Sequence, residues 1–299
     1  MRILTFDLEE WFHILDVDAS RDISNWHSFE KRVEYNTEVL REVLNQYNIK
    51  ATFFCLGWVA EKYPALIKKL HNDGHDIGSH GYYHQLVYKQ SKEEFYDDLT
   101  KSLDVLENII GEKVTMYRAP GFSINSESLW AFNTLMECGI KVDCSLRPSI
   151  LAKEFEGFNP NNFNGIYYLN HKGKKLDLLY VNSLRFLNKE LFLSGGGYFR
   201  LLPTEIFKRW TNSSQYFMTY FHPRDFDPDQ RTLPGLSAIR RFKSYYGLAS
   251  SLDKLKKVLG EFEFTSISNV LAHQEIKEQK ELTLRGSEEL FATLARAQA

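Results

Sequence analysis

Cysteine is scarce in this chain of 299 residues: there are three, Cys55, Cys138 and Cys144, an odd number without a paired framework. Each sits in or beside an apolar stretch, so they read as reduced core residues and exclude a disulfide-stapled scaffold. Net charge is equally sparse, −2 at pH 7, and no basic cluster is interleaved with aromatics. That argues against nucleic acid as a partner. No apolar run approaches the ~20 residues needed to span a bilayer, so no transmembrane segment is expected. The first residues, Met1 to Asp7, enter a strand pattern with no charged n-region, apolar h-region or cleavage site, and the expected location is cytoplasmic. Internal repeats and low-complexity stretches are missing too. What is present is a 43% hydrophobic, 14% aromatic sequence, ample for a buried core.

Strand and helix patterns alternate along the chain. Residues 2–6 read as a buried strand ending on acids, followed by a loop with Trp11, Phe12, Trp26 and His27 and a helix over 29–47. The spacing then predicts a strand over 50–55, a helix over 64–70 stopped by Asn72-Asp73-Gly74, and a strand over 76–79. A helix over 92–110 follows, with Phe95, Leu99, Leu103, Leu106 and Ile110 in register and Gly111 closing it. Next come a strand over 114–117, a helix capped by Asn125 or Ser126 and running to Cys138, and a strand over 140–142. Five β/α units of this kind are the pattern of a parallel sheet or barrel with its helices outside.

The rhythm breaks between Ser149 and Gly197, where aromatic and Asn-rich loops surround two expected strands, 165–169 and 176–181. Gly195-Gly196-Gly197 lets backbone approach a ligand or another chain closely, or serves as a flexible turn. A helix over 203–210, a strand over 216–221, a polar insertion to about Leu259, a strand over 261–267 and a helix from Ser268 complete the reading. The expected division is one domain over 1–285 and a terminal tail over 286–299.

In a β/α barrel the chemistry sits in the loops after the strands. Here the first strand is followed by Asp7, Glu9 and Glu10, the third by His80 and His84, the fourth by Arg118, the fifth by Asp143 and Ser145, and the strand over 216–221 by His222. Five strand ends thus deliver ionisable or polar groups to one rim. His80 and His84 have a metal-ligand spacing, and a catalytic zinc-type site needs three protein ligands and an open position. Asp7 and Glu9, two apart, leave an extended chain on the same face, so one can bind a metal while the other accepts a proton. Arg118 is suited to clamp a carboxylate bidentately, and His222 to act as a general acid. Trp11, Phe12, Trp26, Tyr82 and Tyr83 are candidates for sugar-stacking walls or for core packing.

The series Thr5-Phe6-Asp7-Leu8-Glu9-Glu10-Trp11, Ala51-Thr52-Phe53-Phe54, Gly74-His75-Asp76-Ile77-Gly78-Ser79-His80-Gly81-Tyr82-Tyr83-His84, Arg118-Ala119-Pro120-Gly121 and Phe221-His222-Pro223 resembles the polysaccharide deacetylases of carbohydrate esterase family 4, the NodB-homology domain. The resemblance spans residue 2 to about 270. Within the family it is similar to the branch with a carboxy-terminal extension found with bacterial exopolysaccharide and surface-glycan loci, on the residues Gly195 to Pro203 and His222 to Pro228.

The resemblance implies a distorted (β/α) barrel of about seven parallel strands, with inserted loops and that extension. It implies a divalent metal, usually zinc, held by one acid and two histidines. His80 and His84 match the histidine ligands, Asp7 the catalytic base, Arg118 the residue that orients the base, and His222 the general acid. Where the family has two adjacent aspartates this chain has Asp7-Leu8-Glu9-Glu10, and strand alternation selects Glu9 as the acid ligand with Glu10 as the alternative. The implied reaction is hydrolysis of the acetamide of an N-acetylated sugar, in a glycan or a glycan precursor. The rival readings are a glycosidase using the same acids, a non-sugar amidase or imidase on the same barrel, and a catalytically degenerate carbohydrate-binding relative.

Overall fold

The computed structural model describes residues 1–15, 17, 20, 22–159, 166–186, 189–272 and 279–285, so the expected tail over 286–299 lies outside the described residues. Six strands run in one parallel series: β1 (Thr5–Leu8), β2 (Thr52–Cys55), β3 (Asp76–Ser79), β4 (Met116–Tyr117), β5 (Val142–Leu146) and β6 (Lys174–Tyr180). A seventh, β7 (Phe217–Met218), pairs in parallel with Arg2–Ile3 on the free side of β1, and a further bridge joins Phe221 to Phe6. The family's distorted barrel with about seven parallel strands is the observed architecture.

The ring is not closed by a backbone ladder between β6 and β7 among the described residues. The flank of β6 is taken by the antiparallel strand Ile166–His171, joined to it through a tight turn in which Lys172 and Gly173 both have positive φ. The join to β7 falls instead to two side chains, Asn182 just past β6 and Tyr216 just before β7. The Asn182 amide donates to the Tyr216 carbonyl at 2.8 Å and accepts from the Met218 N–H at 2.6 Å, and the Tyr216 hydroxyl donates to the Tyr180 carbonyl at 2.8 Å.

Strand alternation sorts the first strand. Phe6 packs against Phe53, ring centroids 5.0 Å apart, whereas Thr5 and Asp7 turn to the interior, where Arg118 meets both. The helix Lys92–Ile110 shows why its bounds are legible: Ser91 and Glu94 form a reciprocal capping box, its buried residues keep the i, i+3, i+4 spacing, and Gly111 ends it at φ +80°.

Other boundaries differ from expectation for physical reasons. The helix expected from Phe29 begins at Val33, because Phe29 stacks on Phe12 instead. A six-residue helix, Gly57–Lys62, is too short to show a period. The expected strand over 140–142 is Val142–Leu146, so Asp143 and Ser145 lie within a strand and not beyond its end. Of the strand expected over 261–267 there is a single bridge, Thr265 to Ile3, and a helix follows from Ile267 to Ala272.

Candidate metal centre and catalytic site

At the carboxyl end of β1 the chain turns at once, with the Glu9 N–H donating to the Asp7 carbonyl at 3.1 Å. Asp7 and Glu9 are both buried at the barrel mouth. β3 ends at Ser79, which delivers His80, and the loop after it brings back His84 in a left-handed conformation, φ +55°. A non-glycine residue held there signals a conformation imposed by the surroundings. One ligand atom each from Glu9, His80 and His84 lie within 4.8 Å of one another, and the Glu9 Oε2 to His84 Nε2 distance is 2.5 Å. His80 Nδ1 is 2.7 Å from the Arg118 carbonyl, which fixes the ring and leaves Nε2 facing the cluster. Burial pushes His80 down to about 4, so it is the neutral imidazole a metal requires.

Glu10, the alternative acid, points away. Both its carboxylate oxygens accept from the Arg32 N–H at 3.1 Å, and burial raises its pKa to about 7. Glu9 is the acid that meets the histidines: burial alone would raise its pKa, but His84, with His222 and His13, brings it down to about 2.

Arg118 is fully buried and lies over the Phe54 ring at 4.2 Å. Its Nη1 donates to Asp7 Oδ1 at 2.7 Å and to Thr5 Oγ1 at 2.8 Å, so it holds one carboxylate oxygen through one nitrogen and does not form the expected bidentate clamp. The Phe6 to Phe221 bridge sets His222 beside Asp7. His222 Nε2 lies 3.9 Å from Asp7 Oδ2 and 3.8 Å from Glu9 Oε1, across the mouth.

Sequence reasoning missed the support behind His222. Its Nδ1 is 3.0 Å from Asp225 Oδ2, and its backbone N–H donates to the same oxygen at 2.9 Å. Arg200 Nη2 lies 3.2 Å from the other Asp225 oxygen. Burial opposes the imidazolium of His222, but Asp225, Glu9 and Asp7 outweigh it and raise its pKa to about 9. Burial also opposes the Asp225 carboxylate, yet Arg200 and His222 hold it well below the usual range. The capping-box spacing of His222 to Asp225 was the available signal.

The glycine run serves this support. A Cβ on Gly196 would fall 1.8 Å from Asp225 Oδ2, and one on Gly195 would fall 2.1 Å from the Tyr220 ring, so what approaches the backbone is the chain's own side chains.

His13 was also missed. It is buried, its ring stacks on His84 at 5.5 Å, and its Nδ1 accepts from the Glu10 N–H at 3.2 Å. That bond makes Nε2 the protonated nitrogen, and Nε2 has no hydrogen-bond partner among the described residues. Asp143, by contrast, accepts from the Ser145 N–H and hydroxyl inside β5 and does not line the cavity. Nor do Trp11, Phe12, Trp26, Tyr82 and Tyr83. The first four are buried, and Trp11, Phe12 and Trp26 pack on one another and on Phe29 and Trp58. The aromatic lining comes from Phe122, Phe192, Tyr198, Tyr220, Phe242 and Tyr246.

Residues 20–140 match the model of the family described as polysaccharide deacetylase. The chain carries a polysaccharide deacetylase domain. Residues 145–272 match a second model, a domain of unknown function, DUF3473. It corresponds to the carboxy-terminal extension and contributes His222, Asp225 and Arg200.

Among curated relatives of the deacetylase domain, a peptidoglycan-N-acetylglucosamine deacetylase of Bacillus cereus is 30% identical over 137 residues, 42% of this chain and 49% of the relative. A peptidoglycan-N-acetylmuramic acid deacetylase of Bacillus subtilis is 31% identical over 91 residues, 30% of this chain and 20% of the relative. The chain spans about half or less of the length of these relatives.

Among solved structures, a polysaccharide deacetylase from Mycobacterium smegmatis has a TM-score of 0.63 at 18% identity, covering 95% of this chain and 92% of that one. The Puue allantoinase has a TM-score of 0.55 at 15% identity, covering 91% and 88%. Both likenesses are of fold.

Proposed function

We propose that this chain is a metal-dependent N-deacetylase acting on an N-acetylated sugar of a bacterial surface polysaccharide or of its biosynthetic precursor. The observation that carries the reading is the convergence of Glu9, His80 and His84 with Asp7 and His222 in one mouth. One carboxylate oxygen and two imidazole nitrogens form a mixed N/O donor set that suits a divalent zinc-type ion with an open position. The orientation of His80 by the Arg118 carbonyl is the kind of outer support such ligands have. When bound, such an ion lowers the pKa of water and polarises a carbonyl.

The chain's own residues do the rest. Asp7, with Oδ1 fixed by Arg118 and Oδ2 turned to the cavity, accepts the proton of the attacking water. His222, protonated at neutral pH by virtue of its raised pKa, donates to the departing amine, which is otherwise too poor a leaving group. Asp225 keeps the imidazole oriented with Nε2 toward the mouth. Residues 1–285 act as one domain in this reading, since Asp7 and Glu9 from its start and His222 from the extension share the site.

The test combines metal analysis with acetate release from an N-acetylated oligosaccharide. About one metal per chain and chelator-sensitive release of acetate are expected. A metal-free protein that binds glycan without turnover would overturn the reading in favour of a carbohydrate-binding relative.

A further inference from the structure

The cavity at the barrel mouth, about 540 Å³, is lined by two unlike sets of charged groups. Its acids are Asp7, Glu9 and Asp225, and each already has a contacting partner: Arg118, His84 and Arg200 respectively. The lining also carries Arg147, Arg224, Arg240 and Lys243, with no further acid among the described residues. Arg147 stands at the end of β5, where its Nε is buried without a hydrogen-bond partner and without an ion pair among the described residues. Arg224 is held by neutral groups, its Nε donating to Gln230 Oε1 at 3.1 Å. Lys243 is exposed and makes no ion pair among the described residues.

The donor and acceptor balance of this second set is decisive. A sugar hydroxyl both donates and accepts, and a site for neutral sugars presents carboxylates, which accept, and carboxamides, which do both. Among the described residues no Asn or Gln lines the cavity. Guanidinium and ammonium groups only donate and carry positive charge, so their strongest complement is an anionic acceptor: a carboxylate or a phosphate. A solvated rim would explain Lys243, but not an arginine Nε buried without a partner inside the same cavity.

Building on the deacetylase reading, we propose that Arg147, Arg224 and Lys243 form an anion subsite. The substrate is then an N-acetylated sugar carrying a carboxylate or phosphate next to the acetamide that is cleaved.

The test is equilibrium binding to the full chain by calorimetry, with three probes: a hyaluronan tetrasaccharide, in which N-acetylglucosamine alternates with a uronate, UDP-N-acetylglucosamine, which carries phosphates, and the neutral chitotetraose. At least one anionic probe should bind about tenfold or more tightly than chitotetraose, a ratio expected of charge-assisted hydrogen bonds, and the advantage should shrink as salt rises. Which of the two binds identifies carboxylate or phosphate. Arg147→Gln and, at an exposed position that does not threaten folding, Lys243→Gln should each erode that advantage and leave chitotetraose binding unchanged. Equal binding of all three probes, binding of none, or variants that weaken neutral and anionic probes alike would overturn the subsite. Charge-selective binding without acetate release from any N-acetylated sugar would instead sink the deacetylase reading and leave the subsite standing.

Discussion

Two arginine–aspartate pairs flank the mouth, and they are built for opposite ends. In the first pair, Arg118 spends one nitrogen on Asp7 Oδ1 and on Thr5, and Asp7 Oδ2 faces the cavity. In the pair from the extension both Asp225 oxygens are occupied, one by Arg200 and the other by the Nδ1 and N–H of His222, while Arg200 spends its remaining donors on the carbonyls of Gly196, Lys243, Ser244 and Tyr246. An aspartate with an unspent oxygen can take a proton. One with both oxygens spent can only hold its neighbour in place. The number of lone pairs left over, and not the presence of an arginine, separates a reacting carboxylate from a supporting one.

The sharpest way to break this comparison is to neutralise each aspartate. Asp7→Asn should cut acetate release by about 100- to 10,000-fold while metal content stays at that of the parent, because it removes a proton acceptor and no ligand. A loss of the metal alongside would show that Asp7 is a ligand and not the base. His80→Ala should lose metal and activity together, whereas His222→Ala keeps the metal and loses rate. Equal metal loss in both, by elemental analysis, would refute the division of roles.

Asp225→Asn should act through His222 and be milder than Asp7→Asn. The acid form of His222 is needed, so activity falls as pH rises through its pKa of about 9. Without Asp225 that pKa moves down, and the alkaline limb of the pH–rate profile should move to lower pH; an unmoved limb would mean that Asp225 is purely structural. A folded pKa raised above the ordinary 6.5 also stabilises the fold, fully below about pH 6.5 and progressively less as pH rises through about 9. Gly196→Ala should be smaller still in rate but visible in stability, by about 1–3 kcal/mol, since its new Cβ would displace Asp225. Thermal unfolding beside a pH–rate profile reads both effects.

How far the sequence was legible follows the same division. In the deacetylase domain β3 and the helix Lys92–Ile110 lie where their patterns put them, because capping, spacing and punctuation all agree there. Strand alternation chose Glu9 over Glu10, and it is Glu9 that meets His80 and His84. Ending the fifth strand at Val142 misplaced Asp143 and Ser145, where a polar pair satisfies itself inside a buried strand and so looks, in sequence, like a rim.

In the extension the limits were larger. Asp225 and Arg200 lie 25 positions apart and meet only through tertiary packing. Nothing in the local pattern distinguishes Arg147 from an ordinary surface arginine. His13 is similar: its relation to His84 is made by a turn at its own end of the chain and a left-handed residue at the other. The aromatic residues conspicuous in sequence went to the core, since large flat side chains bury more area there than at a wet mouth.

The single amide of Asn182 has a dynamic consequence. Among the described residues six junctions of the ring rest on backbone pairing and the seventh on the side chains of Asn182 and Tyr216, so local opening starts there. The Met218 N–H, whose acceptor is that side chain, should exchange with solvent deuterium before the amides shared by β1 and β2. Because β7 is joined by backbone pairing to the first strand, and through it to β2 and β3, His222, Asp7, Glu9, His80 and His84 stay on one continuous arc when that seam opens.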